Sequence, residues 1–160
     1  MPVTFYKPLG YLPAYNNYNM MGRTYRYFNG SVQYPFGFGL SYTSFEYNWA
    51  KQPKAQYAFA DQIEISIVIQ NAGIMDAAEV VQVYVEYPEL EEMQLKELKA
   101  FKKVMIQKGQ TSTISLSVPV SEVQKWDVST KSWKLYRDNY AVCLGKDAGN
   151  YLLKTSFTIQ

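Results

Sequence analysis

Beyond residue 45 the chain alternates between apolar and polar side chains. Gln62-Ile63-Glu64-Ile65-Ser66-Ile67-Val68-Ile69 puts four isoleucines on one face, the period-two signature of a strand lying on a core. Val81, Val83 and Val85 alternate with Gln82, Tyr84 and Glu86, and Thr113-Ile114-Ser115-Leu116-Ser117-Val118 alternates until Pro119 stops it. Tyr140, Val142 and Leu144 share a face, as do Tyr151, Leu153, Phe157 and Ile159. With the segments around Phe45–Trp49 and Leu98–Ile106, about seven strands are predicted. Asn71-Ala72-Gly73-Ile74-Met75-Asp76 reads as a turn between two of them. Glu89–Glu97 has helical composition but is short and lies between strands, so a long connecting loop is expected. Ser121–Trp126 reads as a second break, with Ser121 placed to cap one turn before a Trp126–Trp133 hairpin. Many short strands separated by turns predict an all-β fold of two stacked antiparallel sheets.

Residues 1–45 follow neither the helical nor the strand period. They hold eight of the 15 tyrosines and five of the eight phenylalanines, with no Asp or Glu. Disordered segments are poor in aromatics, so an irregular segment of this kind lies against something. Two surfaces could receive it: its own sandwich or a neighbouring domain, and the second is preferred here. Residues 1–43 are accordingly assigned to the tail of a preceding domain and a linker, and residues 44–160 to the β-sandwich.

Charge and composition narrow the chemistry. Sixteen basic and 14 acidic residues leave a net charge of +2, which argues against nucleic acid or an anionic membrane as partner. No apolar run approaches the roughly 20 residues that span a bilayer, and the Met1–Pro8 start lacks the pattern of a secretion signal. The chain has no histidine, so a Ser-His-Asp triad, a Cys-His dyad and a histidine-bound metal are excluded within it. Cys143, the single cysteine, sits in a strand pattern and reads as a small core filler. Glu64, Glu79 and Glu86 alternate with core positions and are expected in solvent. Glu89, Glu91 and Glu92 read as a solvated acidic loop rather than a cation site. Asn29-Gly30-Ser31 fits a glycosylation acceptor, but Asn-Gly is first of all a good turn. The glycines of Tyr34-Pro35-Phe36-Gly37-Phe38-Gly39-Leu40 lack the Gly-Lys-Ser/Thr ending of a phosphate loop.

Several runs of the chain match one pattern, in order. Met21-Gly22-Arg23-Thr24-Tyr25-Arg26-Tyr27-Phe28, then Tyr34-Pro35-Phe36-Gly37-Phe38-Gly39-Leu40-Ser41-Tyr42-Thr43-Ser44-Phe45, closely resemble the C-terminal region of glycoside hydrolase family three. Pro2–Tyr6 is similar to the last strand of that family's α/β sandwich domain. Glu79–Val85 and Lys96–Val104 resemble its fibronectin type III-like domain, an immunoglobulin-like antiparallel β-sandwich. The resemblance implies a β-glucosidase or β-xylosidase as parent, periplasmic or secreted, which hydrolyses terminal β-linked sugars with retention. It also implies that the aspartate nucleophile lies on a barrel and the acid/base glutamate on the α/β sandwich domain, both upstream of Met1. No catalytic, cofactor-binding or metal-binding residue is therefore assigned in this chain, and no cofactor is expected.

What remains is a non-catalytic accessory role. Its expected partners are the barrel and α/β sandwich domains of the parent, together with the parent's carbohydrate substrate. Arg23, Tyr25, Arg26, Tyr27, Tyr34, Phe36, Phe38 and Tyr42 are the residues expected to pack between domains. The alternative is a carbohydrate-binding module holding polysaccharide on exposed aromatics, with Trp126 and Trp133 as the candidate sugar contacts.

Overall fold

A computed structural model describes residues 1–7, 14–90 and 92–160; residues 8–13 and Glu91 of the acidic loop lie outside the described residues. In chain order the elements are β1 (Phe5–Tyr6), α1 (Thr24–Tyr27), β2 (Val32–Tyr34), β3 (Phe45–Lys51), β4 (Gln56–Tyr57), β5 (Gln62–Asn71), β6 (Ala77–Glu86), β7 (Lys96–Ile106) and β8 (Thr111–Pro119). A 3₁₀ turn (Val120–Val123) leads to β9 (Lys125–Asp127), β10 (Ser132–Lys134), β11 (Asn139–Asp147) and β12 (Asn150–Ile159). The strands β3-β5-β8 form one sheet and β4-β12-β11-β6-β7 the other, while β1-β2 and β9-β10 are separate two-stranded ribbons. All seven strands expected from the alternation are present. The short β4 is an addition and pairs parallel to β12.

The core is where the alternation puts it. Ile63, Ile65, Ile67 and Ile69 of β5, with Ile114 and Val118 of β8, face Val81, Val83 and Val85 of β6. Tyr140, Val142 and Leu144 of β11 and Phe157 and Ile159 of β12 complete the facing layer. Each fully buried isoleucine or valine contributes about 1.5–3 kcal/mol, which makes this layer the main source of stability. Asn71 closes one end: its Oδ1 accepts from the Thr43 hydroxyl at 2.6 Å, and its Nδ2 donates to the carbonyls of Met75 and Ile106. The predicted turn after β5 is thereby tied to β7.

Three expectations need correction. Ser121 does not cap the turn before the hairpin. Pro119 occupies the N-cap position, no side chain caps the turn, and burial of Val120 and Val123 in the core holds it. Tyr151 does not share the face of Leu153, Phe157 and Ile159. Leu144 pairs with Leu153 but Gly145 with Tyr151, so one extra residue bulges out of β12 and turns Tyr151 outward. Gly145 permits this, because any side chain there would strike the Asn150 carbonyl. Finally, Glu79 is buried, and its Oε1 accepts from the Tyr47 hydroxyl at 2.7 Å. From Val81 to Val85 every residue of β6 is buried. Glu79 has the parity of Val81, Val83 and Val85 and so meets Tyr47 between the sheets, whereas the other phase, Gln82 and Tyr84, does not face water because another part of the chain covers it.

Candidate functional site

The cover over β6 is the aromatic segment. Residues 23–38 form a strap across the outer face of the five-stranded sheet, where Tyr84, Ala141, Cys143 and Ala148 make a second buried cluster against Tyr25, Phe36, Leu98 and Tyr151. Tyr25 stacks on Phe36 with ring centroids 4.2 Å apart and meets Tyr84 edge-on at 6.1 Å. Burial pushes the Cys143 thiol up to about 12, which keeps it protonated and unreactive, as a core filler should be.

Backbone and polar side chains fasten the strap. The Leu95 N–H donates to the Arg26 carbonyl at 2.6 Å and the Ala148 N–H to the Phe36 carbonyl at 2.8 Å. The Tyr25 hydroxyl accepts from the Leu98 N–H at 3.1 Å. Gln82 is the central anchor. Its Oε1 accepts from the Tyr84 hydroxyl at 2.6 Å, and its Nε2 donates to the carbonyls of Gly37 and Lys146. A side chain at Gly37, where φ is +85°, would collide with the Gln82 carboxamide. The first glycine of the Pro-Phe-Gly-Phe-Gly run is therefore required by both backbone conformation and close approach.

Of the eight residues expected to pack between domains, the strap uses Tyr25 and Phe36 on its own sheet. Arg26 pairs with Glu97 at 2.7 Å, and the Tyr27 hydroxyl donates to Gln94 at 3.5 Å. Arg23 donates to the Asn17 carbonyl at 2.6 Å and so holds the preceding loop. Tyr34 contacts Phe5 and Phe38, whose carbonyl accepts from the Met1 amino group at 2.8 Å. Tyr42 is 93% exposed and its neighbour Leu40 is 91% exposed; Tyr15, Tyr18, Met20 and Met21 also face outward. The segment is thus two-sided, with one side on the sandwich and one apolar side open. Beside it runs a groove of about 680 Å³, lined by Phe38, Leu40, Val80, Phe101, Glu79 and Lys146 among others.

Sequence reasoning missed Gln82, Tyr84 and Glu79 as buried participants. For Gln82 and Tyr84 the visible signal was a glutamine and a tyrosine in the polar phase of an otherwise valine-rich strand; for Glu79 it was a position in the same phase as Val81, Val83 and Val85. Burial, opposed by the hydrogen bond from Tyr47, leaves the Glu79 carboxyl above its usual range. A raised folded-state value means that the folded state holds this proton more tightly than the unfolded chain does. The stability contributed by the protonated form is complete below the unfolded value of about 4.3 and falls as pH rises through the folded one. Glu79→Gln keeps an acceptor for Tyr47 without the charge. Urea unfolding is expected to give the variant the higher midpoint at pH 7, with the gap closing toward pH 4; a higher midpoint for the parent at pH 7 would contradict this.

Trp126 and Trp133 are directly opposite in the β9–β10 ribbon and meet edge-to-face at 5.7 Å and 75°. Among the described residues, no three His, Cys, Asp or Glu side chains gather as a metal-binding group, and no helix is long and apolar enough to cross a membrane.

Comparison with known proteins adds four findings. Residues 79–148 match the family described as Fibronectin type III-like domain. The chain is 34% identical over 145 residues to a xylan 1,4-beta-xylosidase of Xylanibacter ruminicola, covering 91% of this chain and 16% of that protein. It is 30% identical over 155 residues to a probable beta-glucosidase D of Aspergillus niger, covering 85% and 21% respectively. The crystal structure of a Bifidobacterium adolescentis GH3 beta-glucosidase superposes with a TM-score of 0.74 at 27% identity, over 84% of this chain and 20% of that one. The chain thus spans about a fifth of the proteins it matches.

Proposed function

The chain belongs to the C-terminal, fibronectin type III-like part of glycoside hydrolase family three, and on that footing we propose that it is the non-catalytic scaffold of a secreted or periplasmic β-glucosidase or β-xylosidase. The observation that carries this reading is the two-sided strap. Its inner rings are fixed on the sandwich through Tyr84 and Gln82, while Leu40 and Tyr42 and the adjoining groove present unpartnered apolar surface. Residues 1–43 act as the join, with the α/β sandwich and barrel domains of the parent on the open side. Aromatic rings suit such a join because each encloses on the order of 150–250 Å² when covered, with few rotatable bonds to freeze. The catalytic carboxylates belong to those other domains, and this part holds their orientation, where an error of about 1 Å costs roughly a hundredfold in rate.

Leu40→Asp with Tyr42→Asp tests the join. Both side chains stand in water in the 160-residue chain, so its stability should change by no more than about 0.5 kcal/mol. The same pair in the full-length parent buries two carboxylates at an interface and should lower its melting temperature by roughly 5 °C or more, with kcat/KM falling too. Equal, negligible effects in both backgrounds would refute the scaffold reading.

A further inference from the structure

The chain has eight asparagines, and one of them, Asn29, is followed by glycine. Asparagine is a thermolabile residue. Its carboxamide carbon is an electrophile, and the backbone nitrogen of the next residue can reach it to close a five-membered ring. Closure needs a carboxamide free to rotate, a following N–H that no ladder holds, and no Cβ beside that nitrogen to block the approach.

Asn29 meets all three conditions. It and Gly30 are exposed and lie between α1 and β2, in no regular element, so the glycine backbone can turn to the angle that ring closure requires. Among the described residues, neither the Asn29 carboxamide nor the Gly30 N–H has a hydrogen-bond partner. The Phe28 ring lies over Gly30, where a Cβ would meet its Cζ at 2.5 Å, so packing requires the glycine that makes the pair labile.

The fold restrains the other asparagines. The Asn71 oxygen accepts from the Thr43 hydroxyl, and its nitrogen donates to Met75 and Ile106. The oxygens of Asn17 and Asn19 accept from the N–H groups of Asn19 and Met21, and Asn150 donates to the Asp147 carboxylate. After Asn16, the Asn17 N–H donates to the Ala14 carbonyl. Asn48 and Asn139 stand in β3 and β11, paired with Val68 and Thr158 and followed by Trp49 and Tyr140.

We propose that Asn29 is a site of spontaneous deamidation through a succinimide. The Gly30 nitrogen loses its proton to solvent and bonds to Asn29 Cγ. The Cγ–Nδ2 bond breaks, and Nδ2 takes a proton from solvent and leaves as ammonia. One water then opens the ring. Attack at Cγ gives aspartate; attack at the backbone carbonyl gives isoaspartate, in which the main chain runs through the former side chain. One water is consumed and one ammonia released, with no oxidant or cofactor. The product places a carboxylate in residues 1–45, which otherwise hold no Asp or Glu. It stands at a cavity of about 750 Å³ that Asn29 lines together with Glu86, Glu89 and Lys96. The isoaspartyl form also lengthens the backbone next to Phe28, whose ring meets Tyr6 edge-on at 4.9 Å. Deamidation therefore alters both the charge of the strap and its length.

The test incubates the folded 160-residue chain in heavy-oxygen water at body temperature and neutral pH, then digests it in acid. Mass spectrometry of the peptide spanning Asn29 is expected to show one heavy oxygen incorporated and both aspartate and isoaspartate formed. Conversion should run at least tenfold faster than at any other asparagine, about 1.4 kcal/mol of activation free energy. It should quicken from mildly acidic to mildly alkaline buffer, because the Gly30 nitrogen must lose its proton. Asn29→Gln, whose longer side chain closes only a six-membered ring, should slow it at least tenfold. A urea-unfolded sample gives the unrestrained rate, and folded Asn29 should stay within tenfold of it while Asn71 falls further below its own. A folded rate more than tenfold below the unfolded one, aspartate without isoaspartate, or equal conversion at Asn48 would each overturn the assignment. None of these results depends on reading the strap as a join between domains.

Discussion

Replacing Tyr84 by alanine is expected to lower the unfolding free energy by about 3–5 kcal/mol, the cost of emptying a large aromatic site, and to loosen the strap as it does so. Tyr84 is fully buried in the middle of the outer face, edge-on to Tyr25, tilted against Tyr151 and bonded to Gln82. Removing it takes away the surface on which Tyr25 and Phe36 rest, and frees the Gln82 oxygen that its hydroxyl held. Ile65→Ala, on the inner face, costs a similar about 2–5 kcal/mol but leaves the outer face intact. Hydrogen exchange separates the two. The N–H groups of Leu95, Ala148 and Gly37, which donate to Arg26, Phe36 and Met1, should lose protection in Tyr84→Ala beyond the global loss. In Ile65→Ala they should follow the global loss alone. Equal behaviour in both variants would show that the strap is not seated on Tyr84.

The second large effect is expected at Glu97. This carboxylate accepts from Arg26 at 2.7 Å, from Lys99 at 2.5 Å and from the Tyr87 hydroxyl at 3.0 Å. Glu97 and Lys99 retain only 14% and 10% side-chain exposure, against 46% for Arg26. Glu97→Ala leaves Lys99 enclosed without its counter-charge and should cost about 2–3 kcal/mol, the range for hydrogen bonds to charged groups. Arg26→Ala removes the exposed partner only, and should cost no more than about 1 kcal/mol. Urea unfolding at low and high salt checks both. The Arg26 effect should shrink with salt, while the Glu97 effect persists because screening does not reach an enclosed pair. A Glu97→Ala variant as stable as the parent would show that Lys99, which also donates to the Glu122 carbonyl at 2.5 Å, needs no carboxylate.

Much of this molecule was legible in its residues. Alternation identified the inner layer from Ile63 to Ile159 and all seven main strands. Cys143 was recognised as core, and the order of motifs pointed to the region's family. The misplacements fall elsewhere. Glu79 was expected in solvent, and Gln82 and Tyr84 stood in the polar phase of β6 with no role assigned; yet all three are buried. Tyr151 was grouped with the inner face, from which the bulge at Leu152 removes it. Tyr25 and Phe36, expected to pack between domains, pack against this chain's own sheet, a contact that the local pattern did not announce.

The physical reason is the range over which each effect acts. Period-two patterning is a local property: neighbouring side chains point to opposite faces, so the apolar phase alone decides which residues enter the layer between the sheets. That much the sequence determined by itself. Whether the other phase meets water depends on chain returning from far away, as when Gly37 reaches Gln82 across 45 positions. No local pattern records such an encounter. The tertiary structure alone decided that the outer face of β6 is covered and that the strap has an inner and an open side.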